Sequence, residues 1–126
     1  MDLRKERLAV GPVIAGFSGG GFRVGETVYA RGLILDPTTA HEWDAPASAD
    51  DLTPAMLEDA LALNPAPEFL LLGTGRNLVQ PPRAFVTAVE ALGMGVEAMD
   101  SRAAARAWGV LRQEERWIVA ALMPLH

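Results

Sequence analysis

The stretch EFLLLGTGRN, Glu68 to Asn77, decides the fold. Phe69 to Leu72 are four apolar residues with no polar alternation, so a strand made from them has no solvent face. Such a strand suits the middle of a sheet that is covered on both sides. The glycines that follow place bare backbone N–H groups at the carboxyl end of that strand, where α/β proteins commonly hold ligands. A sheet covered on both faces needs helices to cover it, and the flanking sequence supplies them.

Toward the carboxyl terminus, GTGRNLVQ (73–80) reads as a loop. PPRAFVTAVEAL (81–92) reads as a helix with Phe85, Val89 and Leu92 on one face, stopped by Gly93. GVEAM (95–99) is the next strand. Asp100 or Ser101 caps a helix that runs to about Leu111, with Ala104, Trp108 and Leu111 on the inner face and Arg102, Arg106 and Gln113 on the outer one. RWIVAALM (116–123) is the last strand. Strands that alternate with helices imply crossover units and neighbouring parallel strands. In the other direction, Thr53-Pro54 starts a helix whose apolar positions are Leu57, Ala60, Leu61 and Leu63 and which stops near Asn64-Pro65. Asp36 to Asp51, polar and carrying Pro37 and Pro46, reads as an irregular surface loop pinned by Trp43. Val10 to Asp36, with its triple glycine and the run TVYARGLIL (27–35), reads as a small antiparallel meander. The expected architecture is therefore a single α/β domain, residues 1–126: three layers, a central mixed β-sheet, an N-terminal meander and three main helices.

Bulk properties narrow the function. The chain has 126 residues, 50% of them hydrophobic and 21% charged, with a formal net charge of −5. That acidity gives no general basic field for a polyanion, which argues against nucleic acid and anionic membrane surfaces as partners. No apolar run approaches the roughly 20 residues that span a bilayer. The amino terminus, MDLRKERLAVG, carries charges of both signs and no apolar core of a signal, so a cytoplasmic protein is expected. There is no cysteine, and His41 and His126 lie far apart, so no zinc-ligand spacing is present. Lys5 is the only lysine, which leaves no Walker-type or internal Schiff-base lysine. No cofactor is assigned.

Two motifs invite a chemical reading. Gly16 to Gly20 (GFSGG) fits G-x-S-x-G, but a nucleophile elbow needs a strand-to-helix turn, and Ser18 is followed by three glycines and then strand-like sequence. Ser18 therefore reads as part of a hairpin, with Gly19 to Gly21 supplying its positive φ angles. The loop Gly73-Thr74-Gly75-Arg76 departs from a dinucleotide fingerprint, because Leu78 stands where a third glycine is required. What remains is an arginine on a short loop before a helix, suited to a carboxylate, a phosphate or the acidic side chain of a partner. If Phe69–Leu72 and Val96–Met99 are parallel neighbours, Asp100 and Ser101 come to the same edge of the sheet. Gly73, Thr74, Gly75, Arg76, Asp100 and Ser101 are thus the candidate binding residues.

Several segments carry a likeness beyond pattern: LLLGTG at 70–75, VEAMD at 96–100, Arg106, Val110-Leu111, Glu114, Arg116, AAL at 120–122 and the early FSGGGFRV at 17–24. Together they resemble the domain family of largely unassigned function that includes mitochondrial complex I assembly factor 3 and an adipogenesis-associated protein of the same fold, with many small bacterial members. The resemblance covers nearly the whole chain. It implies a compact three-layer α/β fold, no agreed catalytic mechanism and, as a class of role, recognition of another protein. This chain departs from the family at Ser101, Ala107-Trp108-Gly109 and Glu115, where threonine, threonine-tyrosine-asparagine and glycine are usual, so side-chain hydrogen-bonding groups are expected to be missing there. The preferred expectation is a non-catalytic, assembly-factor-like bacterial protein that binds another protein, with self-association left open. The alternative is a small anionic ligand, or an enzymatic site, at loops 73–76 and 100–101.

Overall fold

A computed structural model describes residues 11–126. Lys5 and most of the charged opening segment, together with Val10, where the strand-like reading begins, lie outside the described residues. From there β1 (Gly16–Ser18), β2 (Gly21–Val24) and β3 (Thr27–Tyr29) form an antiparallel three-stranded sheet. Ser18 pairs with Gly21, and the two residues between them, Gly19 and Gly20, have φ of 57° and 85°. Positive φ at both central positions marks the tight hairpin turn whose twist matches its strands. Gly21, expected to share that conformation, is a strand residue instead. It is small because a Cβ there would come within 2.8 Å of the Tyr29–Ala30 backbone.

The run expected to continue the meander divides after β3. β4 (Leu33–Leu35) joins a second sheet, whose order is β5-β4-β8-β6-β7. Alternating apolar residues specify which side chains are buried but not which sheet they belong to. The polar stretch 36–51 also holds more order than expected. Asp36 Oδ1 accepts from the N–H groups of Thr38 (2.8 Å) and Thr39 (2.7 Å), and its Oδ2 accepts from the Thr39 hydroxyl at 2.6 Å. This side-chain-closed turn returns the chain as β5 (Ala40–Glu42), antiparallel to β4. Burial pushes the Asp36 carboxyl up, but the hydrogen bonds from Thr39 and Thr38 outweigh it and hold the group below the usual carboxylate range. Trp43 pins the segment that follows: it is buried, and its Nε1 donates to the Leu122 carbonyl at 3.2 Å.

β6 (Phe69–Gly73) lies inside the second sheet, parallel both to β7 (Gly95–Met99) and to β8 (Val119–Leu122), while β8 pairs antiparallel with β4. Leu70 and Leu72 face one core with Val119 and Ala121, and Leu71 faces the other with Ala120 and Leu122. A strand buried on both sides explains the unbroken apolar run. The first core is closed by Trp43, by a 3₁₀ turn at Pro54–Leu57 that leads into the one-turn helix α1 (Glu58–Leu61), and by α2 (Arg83–Glu90). Thr53 has extended cap geometry, but its side chain makes no capping bond. α2 starts after Pro81-Pro82 and buries Phe85 and Val89. Leu92, expected on the same face, follows its last turn and is 53% exposed.

The second core lies between the sheet and α3 (Ser101–Gln113), with Phe22 of the meander inserted alongside Ala104 and Trp108. The result is three layers around a mixed sheet. Asp100, not Ser101, is the N-cap: its Oδ1 accepts from the Ala103 N–H at 2.9 Å. Trp108 Nε1 donates to the Pro12 carbonyl at 2.8 Å, so the side chain that stands in place of the family's tyrosine keeps a hydrogen-bonding role. At its other end α3 closes in a Schellman motif, with the Arg116 N–H on the Leu111 carbonyl (3.1 Å) and the Glu115 N–H on the Arg112 carbonyl (2.9 Å). Glu115 occupies the left-handed position of that motif, at φ 59°. Arg112 is buried at 4% exposure, and its Nη1 donates to the Arg116 carbonyl of the same turn. No helix among the described residues is long and apolar enough to cross a membrane.

Candidate functional site

The parallel pairing of β6 with β7 and β8 brings three chain segments to one edge of the sheet. Their backbones are joined directly: the Thr74 N–H donates to the Met99 carbonyl (2.9 Å), the Ser101 N–H to the Gly75 carbonyl (2.8 Å) and the Met123 N–H to the Gly73 carbonyl (2.9 Å). The loops that contain the candidate residues therefore do meet. Gly73 permits the approach, because a Cβ there would lie 2.8 Å from Ser101 Oγ.

Most of these residues build the edge itself. Ser101 is fully buried; its hydroxyl donates to the Met123 carbonyl at 2.7 Å and accepts from the Gly75 N–H at 2.9 Å. Serine thus keeps the hydroxyl expected to be lost with the family's threonine, and it fastens the start of α3 to the ends of β6 and β8. The Thr74 hydroxyl closes its own loop, donating to the Asn77 carbonyl (2.7 Å) and accepting from the Val79 N–H (3.0 Å). Asp100 is engaged as the helix cap, and it forms no ion pair with Arg76 among the described residues. Of the six candidates, only Arg76 is exposed and without a partner among the described residues.

Arg76 stands between two clefts. The larger, about 670 Å³, runs between the 74–79 loop and the 44–47 segment and includes Asp44, Pro46, Val79 and Met123. On its wall Arg31 is already neutralised, with Nη2 2.9 Å from Glu42 Oε1 and Nη1 2.9 Å from Asp44 Oδ1. The hydrogen bond from Arg31 holds the Glu42 carboxyl below the usual carboxylate range, and the same bond, followed by the charge of Asp44, raises the Arg31 guanidinium. The smaller cleft, about 420 Å³, is bordered by Ser18, Gly19, Gly20, Arg102 and His126. Arg102 is the residue that sequence reasoning left on the outer face of α3. The Asp100 cap fixes the first turn of that helix at this edge, and that signal could have placed Arg102 here. Nothing in the spacing of His126 or Phe17 could have done so. Among the described residues no group of three or more histidine, cysteine or acidic side chains is arranged to hold a metal ion.

Comparison with known proteins adds relatives to this geometry. A family model described as "Protein of unknown function (DUF498/DUF598)" matches residues 14–123. The chain is 35% identical to an uncharacterized protein of Rhodobacter capsulatus over 112 residues, which cover 89% of this chain and 84% of that one. It is 28% identical over 125 residues to NADH dehydrogenase [ubiquinone] 1 alpha subcomplex assembly factor 3 of Danio rerio, covering 98% of this chain and 71% of the relative. A Bordetella pertussis protein solved by NMR and described as a Mth938-like domain superposes with a TM-score of 0.78 at 27% identity, covering 92% of this chain and 87% of its own.

Proposed function

The chain belongs to the DUF498/DUF598 family of proteins of unknown function, and on that premise we propose that it is a non-catalytic recognition domain that binds another protein. The observation that carries this reading is the loop after β6. Thr74 ties the loop back on itself, so Arg76, Leu78 and Val79 project from a fixed frame, with Leu78 51% exposed. Apolar side chains beside an arginine on a pre-ordered loop have the composition of an interface core, and binding then costs little ordering entropy. The hydroxyls of Thr74 and Ser101, which could otherwise be nucleophiles at this edge, each both donate to and accept from backbone groups, and this supports a non-catalytic role. The distant assembly-factor relative supports a protein as the partner, and the relatives from Rhodobacter capsulatus and Bordetella pertussis support a bacterial source.

The test is capture from the native host with a tagged copy. The wild type should recover one partner at constant stoichiometry. Leu78→Asp should lose it at an unchanged melting temperature, because residue 78 faces solvent. Equal recovery by both proteins removes the loop from the interface and the reading with it.

A further inference from the structure

We propose that the smaller cleft binds an oxyanion, the phosphate or carboxylate group of a small molecule whose body extends along the larger cleft. This goes beyond protein recognition and does not depend on it. The guanidinium groups of Arg76 and Arg102 and the imidazole of His126 border the cleft, and among the described residues no acidic side chain lines it. That concentration is local, since the chain as a whole is acidic at −5. A positive cleft in a negative protein attracts anions to one place on its surface.

Arg76 and Arg102 differ from the arginines that are held in ion pairs. Arg31 and Arg116 are matched by Glu42, Asp44 and Glu68, whereas Arg76 and Arg102 pair with no acidic side chain among the described residues. Arg102 is nevertheless held in place. Its guanidinium carbon lies 4.9 Å from the centre of the Phe17 ring, a contact that restrains a long side chain without neutralising it. The Thr74-closed loop orders the backbone on either side of Arg76, from which its exposed side chain projects. The His126 ring is seated on Gly20, where a Cβ would come within 2.6 Å of its Cδ2. Two guanidinium forks present fixed N–H donors whose spacing suits the oxygens of phosphate or carboxylate, and the Ser18 hydroxyl at the rim adds a neutral donor. Arg76 also borders the larger cleft, whose volume of about 670 Å³ lies in the range of small-molecule sites. Pro46, Val79 and Met123 give that cleft apolar wall for the rest of the ligand.

The experiment is a titration of the full ¹⁵N-labelled chain, tagged only at its amino end because His126 lines the cleft. Inorganic phosphate and acetate are added in separate arms at constant ionic strength, with chloride as the reference. The amides of Gly19 and Gly20 and the Nε–Hε groups of Arg76 and Arg102 are followed. Saturable shifts at these positions are expected, and the arm that saturates at lower concentration identifies phosphate or carboxylate as the preferred group. Arg76→Gln and Arg102→Gln should each weaken the midpoint by about tenfold, the loss of one charge-assisted fork, while the remaining spectrum stays native. Shifts that never saturate, that chloride reproduces, or that survive both substitutions unchanged overturn the proposal. The titration contains no partner protein, so its result is independent of partner capture.

Discussion

Replacing Ser101 with alanine should destabilise the protein severely without touching any exposed surface. The hydroxyl bridges the Met123 carbonyl at 2.7 Å and the Gly75 N–H at 2.9 Å, at a side chain with 0% exposure. Its removal leaves one buried donor and one buried acceptor without that partner, and each such group costs about 1–3 kcal/mol. The vacated space is the size of one oxygen, too small to admit a water that could replace both bonds. Taking the middle of the range for both groups gives a loss of about 4 kcal/mol, a large share of the roughly 5–15 kcal/mol available to a domain. Urea unfolding measures it: the midpoint should fall while the slope stays constant, because the folded and unfolded surfaces are unchanged. A loss below about 0.5 kcal/mol, the scale of ordinary surface substitutions, would refute the account of Ser101 as the fastening between β6, β8 and α3. So would loss of binding at full stability, since that would make Ser101 a contact residue.

Ser18→Ala, by contrast, should shift stability by less than about 1 kcal/mol, as for an exposed turn, and a fluorophosphonate probe should leave Ser18 unlabelled; stoichiometric labelling would restore the nucleophile reading. Glu115→Gly should raise stability by about 0.5–1 kcal/mol, because the left-handed position that strains glutamate costs glycine nothing, a gain partly offset by glycine's greater freedom when unfolded; a lower melting temperature would contradict this. Arg76→Ala should leave the melting temperature nearly unchanged while lowering partner or ligand binding, and unchanged binding at equal folding would remove Arg76 from the site. Acid should destabilise the protein through Asp36, Glu42 and Glu68, whose carboxyls are all held below their ordinary values. The principal cause for Glu68 is the hydrogen bond from Arg116, at 2.8 Å. Groups depressed in the folded state add stability above their unfolded pKa of about 4 and lose it as pH falls through the folded values. Stability should therefore hold from neutral pH to about 5 and decline below about 4, with a shallower decline in Glu68→Gln.

Legibility followed physical cause. Phe69–Leu72 could be read because burial on both faces leaves an unbroken apolar run, and Gly19-Gly20 because a two-residue hairpin demands positive φ. The buried face of α3 followed from its period, including Ala104 and Trp108. β5 escaped because Ala40-His41-Glu42 is a polar edge strand, whose order comes from the side-chain turn at Asp36. The departure of β4 from the meander escaped because alternation is the same in either sheet. The loops at 73–76 and 100–101 could be brought together from parallel pairing alone. Their internal use could not, since a buried serine and an exposed one look identical in sequence. The smaller cleft was beyond reach for a different reason. Phe17, Arg76, Arg102 and His126 come from four distant segments, and only the full topology makes them neighbours.

The strand order also bears on how the molecule is made. β8 separates the β4–β5 hairpin from the β6–β7 pair, yet it follows all of them along the chain. On the ribosome the two halves must wait, each with an open edge, until Val119–Leu122 has emerged. The sheet is therefore completed by a late insertion with long sequence separations, the kind of contact that slows folding. A nascent chain halted just before residue 119 should be captured by chaperones. A synthetic peptide carrying the missing strand should rescue it, zipping between two waiting edges in the manner of a split protein restored by its fragment.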